Sequence, residues 1–188
     1  MTAMRVITGK AKGRRLYTVP GERTRPITDR AKFALFSIID VYLPRASFLD
    51  LFAGTGQVGI EALSRGANEA VFVEMAESAL RTIRANLAHT ELEKNARVVR
   101  GNVFKYLETQ PNPFDFIFVA PPQYRGLWVR TLEALDENSG WLASDGWIIV
   151  QIDPEEYREV ELENFVLFDQ RSYGGVMLCF YARPVEEQ

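Results

Sequence analysis

Three glycines that follow a predicted strand form the feature of the sequence most indicative of chemistry. Gly54, Gly56 and Gly59 come after the apolar segment 48–52 and open segment 56–65, which has helical periodicity. A strand that enters a helix through such a turn brings backbone amides close to a ligand. Their G-x-G-x-x-G spacing occurs in several nucleotide-cofactor sites, so the glycines alone leave the cofactor open.

Two carboxylates at strand ends bear on which cofactor would bind. Asp50 precedes the first glycine by four residues, and a carboxylate there suits the cationic methionine part of S-adenosylmethionine better than the pyrophosphate of NAD. Glu74 ends the next predicted strand, 70–74, where it can accept hydrogen bonds from ribose hydroxyls in either cofactor. We therefore expect S-adenosylmethionine, with an NAD-type oxidoreductase as the alternative.

The third predicted strand, 97–100, is followed by Asn102 and Val103. Asn102 could hydrogen-bond the adenine amine and Val103 could offer its backbone amide, although an ordinary turn explains the pair as well. The predicted cofactor-binding residues are Asp50, Phe52, Ala53, Gly54, Thr55, Gly56, Glu74, Met75, Asn102, Val103 and Ala120.

A double proline follows the fourth predicted strand, 114–119. Prolines at the carboxyl end of a central strand hold carbonyl oxygens rigidly where open α/β sheets bind ligands, and those oxygens can accept hydrogen bonds from an amine. An aromatic ring beside them could stack on a base, and a stiff loop without a ligand is the alternative. The predicted catalytic residues are Pro121, Pro122, Gln123 and Tyr124.

Strands and helices alternate along most of the chain. Further helices are predicted over 29–41, 76–89, 103–107 and 127–136, and further strands over 146–152, 165–169 and 176–181. Alternation with fully apolar strands is typical of a parallel, doubly wound α/β sheet that is covered on both faces. Thr28 is the predicted N-cap of the first helix, and 188 residues suffice for one domain.

The charge of the chain is unevenly distributed, although its net value is only −3. Residues 1–34 contain nine lysines or arginines against two acidic residues. Such an arm is typical of nucleic-acid binding, and a solvated basic surface without a partner is the alternative. Segments 6–8 and 16–19 predict a β-hairpin with a basic tip. The predicted RNA-binding residues are Arg5, Lys10, Lys12, Arg14, Arg15 and Arg25.

Composition excludes several other kinds of site. The longest apolar runs have the length of strands, far below the roughly 20 residues of a membrane span, and no signal-peptide pattern is present, so we expect a cytoplasmic protein. The lone Cys179 excludes an internal disulfide and a multi-cysteine metal site, and we expect no metal. Cys179 lies among apolar residues, which indicates core packing, and His89 is most simply a surface residue.

Several motifs together resemble one family. Asp50 to Gly59, Glu74 and the double proline with Tyr124 look like the cofactor and target-amine motifs of amino-directed nucleic-acid methyltransferases. Segments 4–9, 13–16, 25–30 and 51–56, with Arg171, Tyr173 and Gly174 near the end, more narrowly resemble the bacterial 16S ribosomal RNA guanine-N2 methyltransferase family (RsmD-like).

This resemblance implies a Rossmann-like, seven-stranded sheet, mostly parallel with an antiparallel last strand, plus an N-terminal β-hairpin for RNA. By the same resemblance, residues 1–27 would form a basic extension, and residues 28–188 would form an S-adenosylmethionine-dependent methyltransferase domain. The implied reaction is methyl transfer to the guanine exocyclic amine, on ribosomal RNA, the small ribosomal subunit or an assembly particle.

The chain departs from the family pattern at two positions. The family has Asp or Asn before the two prolines where this chain has Ala120, and its adenine-contacting Asp is Asn102 here. Losing an acceptor used mainly in the transition state costs roughly 3–4 kcal/mol, and the carboxamide of Gln123 is the predicted replacement. A catalytically impaired RNA-binding or ribosome-assembly factor that retains the cofactor pocket is therefore a further alternative.

Overall fold

One seven-stranded sheet organises the molecule. The computed structural model describes residues 4–21 and 26–185 of the chain. The strand order across the sheet is β3-β2-β1-β4-β5-β7-β6. The strands are β1 (Ser47–Leu51), β2 (Glu69–Glu74), β3 (Ala96–Arg100), β4 (Phe114–Val119), β5 (Leu142–Ile152), β6 (Val166–Tyr173) and β7 (Val176–Ala182).

The direction of the strands confirms the predicted fold class. Strands β1 to β5 pair in parallel, and β7 runs antiparallel both to β5 and to the edge strand β6. The chain order reverses between β1 and β4, which is the switch point where open α/β sheets bind ligands beyond the carboxyl ends of their strands.

Within residues 4–21 and 26–185, five α-helices cover the two faces of the sheet. Thr28 caps the first as predicted, since its Oγ1 accepts a hydrogen bond of 3.2 Å from the Ala31 amide. The first α-helix ends at Ile39, two residues before the predicted end, and a short 3₁₀ turn follows it. The helices are α1 (Asp29–Ile39), α2 (Gln57–Ser64), α3 (Glu77–Thr90), α4 (Val103–Leu107) and α5 (Leu127–Glu137).

Side-chain alternation in β1 divides the core into two layers. Phe48 packs on the side of α1, α2 and α3, whereas Leu49 and Leu51 pack on the side of α4 and α5. Because successive strand side chains point to opposite faces, Asp50 shares the face of Phe48 and lies beneath α2. The sheet therefore delivers this carboxylate to the start of α2 rather than to open solvent.

The predicted N-terminal hairpin is short. An antiparallel bridge joins Arg5 to Arg15, and further backbone hydrogen bonds join Val6 to the Arg14 carbonyl oxygen and Leu16 to that of Met4. The amides of Ile7 and Thr8, which were expected in a strand, donate instead to the carboxylate of Glu61 in α2. Beyond Val6, a buried carboxylate that accepts two amides takes the place of cross-strand pairing. The predicted hairpin is therefore present, but it pairs residues 4–6 with 13–16 rather than forming strands over 6–8 and 16–19.

Residues 4–19 form what we call the N-terminal segment, and it contributes to the main core. Val6, Ala11 and Leu16 are buried in the same apolar cluster as α1, α2 and α3. Gly9 lies so close to α2 that a Cβ there would stand 1.9 Å from the carbonyl oxygen of Ser64. Within the described residues, no helix combines the length and the apolarity that crossing a membrane requires.

Candidate functional site

The loops that follow the parallel strands meet at one edge of the sheet. Leu51 of β1 is in register with Val73 of β2 and with Val119 of β4, and Val119 is in register with Val150 of β5. The glycine turn, Glu74, Asn102 and the double proline all follow these strand ends, so the structure brings the predicted cofactor and catalytic residues to a common edge.

Asp50 anchors the start of α2. Its Oδ2 accepts a hydrogen bond of 3.1 Å from the backbone amide of Gly59, and only 2% of the residue is exposed. Gly59 belongs to the first turn of α2, whose amides have no partner inside the helix. Burial raises the pKa of the Asp50 carboxyl well above its ordinary value, the Gly59 hydrogen bond opposes this, and the charge of Glu74 adds to it.

Glycine is needed at two positions near the turn for different physical reasons. Gly54 has a left-handed backbone, φ +57°, and a Cβ built there meets no atom within 4 Å, so the space beside it is open to a ligand. At Gly59 a Cβ would lie 2.4 Å from Cε1 of Phe72, so glycine is required for α2 to pack on β2. The glycine turn is thus open to a ligand at Gly54 and closely packed against β2 at Gly59.

Glu74 joins the glycine turn to the start of α3. Its Oε2 accepts the Gly54 amide at 2.9 Å, and its Oε1 accepts the amides of Met75 and Ala76 at 2.8 and 2.9 Å. A carboxylate offers about four acceptor positions, so a further hydroxyl can still donate to it. Met75, next in the chain, is 65% exposed and offers an apolar surface beside that carboxylate.

The remaining residues of the turn are held in a specific conformation. Phe52 has a φ of +60°, a region that residues with a Cβ rarely occupy and that costs of order 1–3 kcal/mol. Its ring contacts the ring of Phe104 edge-on, with centroids 6.4 Å apart. Ala53 is tied to β2 by a bond of 3.1 Å from its amide to the Val73 carbonyl oxygen. Strained backbone of this kind concentrates at functional sites.

Asn102 acts as the N-cap of α4. Its Oδ1 accepts the amides of Phe104 and Lys105 at 2.9 and 3.3 Å, which leaves the carboxamide NH₂ as the group able to meet a ligand. The Gly101 amide donates to the Glu74 carbonyl oxygen at 3.0 Å, so this loop lies beside Glu74. Val103 is the first residue of α4, and it is buried.

The double-proline loop lies between β4 and α5. Pro121 is buried, whereas Pro122, Gln123 and Tyr124 are exposed. Ala120 is half-buried and packs against the apolar core, so it places no polar group at the strand end.

Two acidic residues that the sequence analysis missed contact this loop. The Tyr124 amide donates a 2.6 Å hydrogen bond to Oε1 of Glu156. The neighbouring Asp153 carboxylate is the main cause that raises the pKa of the Tyr124 hydroxyl to about 12. The available signal was positional, since Asp153 directly follows β5, the neighbour of β4 in the sheet.

The predicted RNA-binding residues differ in exposure and in the contacts that they make. Arg14 is half-buried and donates at 2.6 Å both to the His89 carbonyl oxygen at the end of α3 and to the carboxylate of Glu91. Arg25 lies outside the described residues. Those with exposed positions are Arg5, Lys10, Lys12 and Arg15.

A buried ionic group fixes the N-terminal segment to α1 and α2. Glu61 is fully buried and lies 2.9 Å from Nε of Arg65 and 3.6 Å from Nζ of Lys32. Lys32 Nζ also donates to the Arg5 carbonyl oxygen at 2.7 Å. Burial lowers the pKa of Lys32, and the charge of Glu61 opposes that shift. Among residues 4–21 and 26–185, no group of three or more His, Cys, Asp or Glu could hold a metal ion.

Known proteins similar to this chain cover nearly all of it. The family model described as conserved hypothetical protein 95 matches residues 4–182. The Bacillus subtilis (strain 168) protein YlbH is 37% identical over 187 residues, which is 96% of this chain and 99% of YlbH. The Escherichia coli (strain K12) protein named ribosomal RNA small subunit methyltransferase D is 36% identical over 183 residues, 97% of this chain and 91% of that protein. A solved structure of the Escherichia coli protein yhhF has a TM-score of 0.85 and 36% identity, covering 96% of this chain and 98% of that one.

Proposed function

The chain belongs to the family described as conserved hypothetical protein 95, and from that premise we propose that it is an S-adenosylmethionine-dependent ribosomal RNA methyltransferase. Its substrate is proposed to be RNA of the small ribosomal subunit, free or in an assembly particle, because a relative that it matches over 97% of its length is named for that subunit. The acceptor is the exocyclic N2 amine of a guanine, as the sequence resemblance implies.

The observation that carries this proposal is the bond between Glu74 and Gly54. It sets a carboxylate with spare acceptor capacity directly beside the open space at the glycine turn. A ribose placed there can donate its hydroxyls to Glu74, with an adenine ring next to Met75 and the amide of Val103. Because the oxygen of Asn102 already caps α4, its NH₂ group is the part proposed to donate to a ring nitrogen.

The proposed chemistry requires positioning more than activation. S-adenosylmethionine, when bound, supplies a methyl group on a sulfonium that is already a good leaving group. Pro121 and Pro122 fix carbonyl oxygens that accept hydrogen bonds from the target amine, and Tyr124 stacks on the base. The amine nitrogen would bond to the methyl carbon as the carbon–sulfur bond breaks, and the proton that the amine loses would pass to solvent. The exposed cations of the N-terminal segment contact phosphates.

Two measurements test this function. Calorimetry with S-adenosylhomocysteine and with NAD is expected to show binding of the first and weak or no binding of the second. Tighter binding of NAD overturns the cofactor assignment. Incubation of small ribosomal subunits and of their naked RNA with tritiated S-adenosylmethionine is expected to label RNA, and mass spectrometry of the digested RNA to give N2-methylguanosine.

Glu74→Ala is the matched test of the cofactor site. Loss of hydrogen bonds to a charged acceptor is expected to weaken S-adenosylhomocysteine binding by about 1.5–3 kcal/mol. Glu77→Ala removes an exposed carboxylate three residues away, so it is the control that should bind like the parent. Equal affinity of the two variants would place the cofactor elsewhere.

A second candidate is an RNA-binding or assembly factor that has lost methyl transfer. It is favoured by Ala120, which packs against the core and offers no acceptor at the strand end. A parent protein that binds S-adenosylhomocysteine and RNA, transfers no methyl group and gains transfer on Ala120→Asp would establish this candidate over the enzyme.

A further inference from the structure

Tyr124 is an exposed aromatic residue in an unusual backbone conformation. Its φ is +59°, and 64% of the residue is exposed. A left-handed conformation at a residue with a Cβ persists only where surrounding contacts over-determine it. An exposed ring without such contacts would rotate freely and would gain nothing from the strain.

The contacts come from the short turn that follows β5. Glu156 accepts the Tyr124 backbone amide at 2.6 Å, which fixes the main chain at the strained residue. Asp153 accepts the Glu155 amide at 2.9 Å, so this turn is itself held in place. The Asp153 carboxylate also faces the hydroxyl of the same tyrosine, whose pKa it raises. One short turn therefore binds the main chain of Tyr124 and faces the far end of its ring.

The arrangement has a cost that fold stability does not explain. Oε2 of Glu156 is buried, and no donor among the described residues reaches it. A carboxylate oxygen in that state carries a desolvation penalty that a stabilising contact would avoid. Local costs of this kind are expected where a side chain is needed for function.

We propose that Asp153 and Glu156 are positioning residues for methyl transfer, which act by holding the Tyr124 ring in the orientation that receives the target base. This inference rests on the proposed function, and it gives the turn after β5 a part in catalysis. A ring fixed before the base arrives pays its orientational entropy in advance, so the base is stacked in a reactive position at lower cost. Neither carboxylate needs to touch the substrate.

Four variants separate this role from a general effect on folding. Tyr124→Phe keeps the ring and removes only the hydroxyl, and Asp153→Ala removes its partner. Each is expected to lower single-turnover methyl transfer to small ribosomal subunits about tenfold, the usual size for one oriented hydrogen bond. The double variant is expected to be no slower than either single one, because both changes remove the same bond. Asp153→Asn retains an acceptor and is expected to recover most of the rate.

Controls and a second readout complete the experiment. Glu155→Gln removes an exposed charge from the same turn and is expected to transfer at the parent rate. All variants are expected to bind S-adenosylhomocysteine like the parent. In tyrosine-labelled protein, ¹³C NMR is expected to show a Tyr124 hydroxyl that titrates at lower pH in Asp153→Ala than in the parent.

The outcomes distinguish the two proposals. A parent that transfers no methyl group to subunits or naked RNA overturns the proposed function, and the positioning role with it. An active parent whose Asp153→Ala variant keeps its rate and its Tyr124 titration overturns the positioning role alone. Independent, multiplicative losses in the double variant also overturn it, since Asp153 would then act by a route other than Tyr124.

Discussion

Asn86 in α3 binds both backbone groups of Tyr17, accepting its amide at 2.6 Å and donating to its carbonyl oxygen at 3.1 Å. The same carboxamide donates to the carbonyl oxygen of Thr55, in the glycine turn, at 2.9 Å. Asn86 is fully buried, so one side chain joins the N-terminal segment to the turn.

Asn86→Ala is therefore expected to affect both stability and cofactor binding. It leaves part-buried backbone groups at Tyr17 and Thr55 without this partner, and an unsatisfied group that is shielded from water costs about 1–3 kcal/mol. Urea unfolding should show the loss of stability, and calorimetry with S-adenosylhomocysteine should show weaker binding. Thr82→Ala removes a hydroxyl whose bond lies within α3, so it should leave cofactor affinity unchanged. Unchanged affinity in Asn86→Ala would separate the segment from the cofactor site.

Glu61→Ala is expected to be severely destabilising. It removes the partner of two buried cations, Lys32 and Arg65, together with the acceptor of two backbone amides. Breaking a buried ion pair by deleting one partner costs about 3–5 kcal/mol. Urea denaturation measures the change, with Glu133→Ala on the exposed face of α5 as the matched control. A loss below about 1 kcal/mol, the range of surface pairs, would contradict the role assigned to this cluster.

The cations of the N-terminal segment are expected to contribute to RNA affinity through phosphates. Replacing Lys10, Lys12 and Arg15 together by Gln should weaken RNA binding. The logarithm of the affinity falls linearly with the logarithm of the salt concentration, and the steepness of that line should decrease by about 2–3, since each phosphate contact contributes roughly 0.7–0.9. Arg14 is excluded from the set because it is paired with α3. Filter binding across salt concentrations measures the slope.

Arg45→Gln provides the control for that experiment. Arg45 is exposed and precedes β1, at the edge of the sheet opposite the cofactor residues. Its replacement should leave the slope at the parent value. If the triple variant kept the salt dependence of the parent, the N-terminal segment would be a solvated basic surface that makes no phosphate contacts.

The raised pKa of the Asp50 carboxyl predicts that the stability of the fold depends on pH. Its pKa is raised in the folded protein, so the fold binds this proton more tightly than the unfolded chain. The associated stability is present at low pH and is lost as the pH rises from the ordinary value of 3.8 through the folded pKa. Asp50→Asn keeps an oxygen for the Gly59 amide without the buried charge.

Urea midpoints at several pH values test this dependence. The stability of Asp50→Asn relative to the parent is expected to grow as the pH rises above 3.8, the ordinary pKa of the carboxyl. A difference between the two proteins that is constant with pH would contradict the raised pKa. Calorimetry of the same variant with S-adenosylhomocysteine tests whether the carboxylate also contributes to cofactor affinity.

Gln123 is proposed to supply the acceptor that Ala120 lacks. Gln123 is exposed, so its carboxamide is accessible to a target amine. Gln123→Ala should raise the barrier to transfer by roughly 3 kcal/mol, as for one transition-state acceptor, without changing cofactor affinity. Ala120→Asp should keep or raise activity. Single-turnover rates of methyl transfer test this role. Full activity of Gln123→Ala would mean that the proline carbonyl oxygens alone accept the hydrogen bonds from the target amine.

The regular elements could be predicted because their signals are local. The residues of α4, 103–107, and of β4, 114–119, agree with their predicted bounds, and Thr28 caps α1 as expected. Periodicity, capping chemistry and apolar runs are each readable within a few residues. Strand ends also place the cofactor residues at one edge, because parallel strands share a direction.

The contacts that hold those residues could not be predicted in the same way. Asn86 binds Tyr17 from 69 positions away, and Glu156 binds Tyr124 from 32. Both depend on how helices and turns pack, and a single sequence carries no periodic signal for that. The bounds of the hairpin were misplaced for the same reason, since β propensity cannot reveal that Glu61 will take the amides of Ile7 and Thr8.

The docking of the N-terminal segment also constrains how the chain is made. Ile7 binds Glu61, 54 positions later, and Arg14 binds Glu91, 77 positions later, so the segment leaves the ribosome well before its partners. During that interval its apolar residues face water, and the cations interspersed among them act as gatekeepers against association of nascent chains. We therefore expect the same charges that are proposed to contact RNA in the finished protein to protect it during translation, until α3 is complete and the segment can dock.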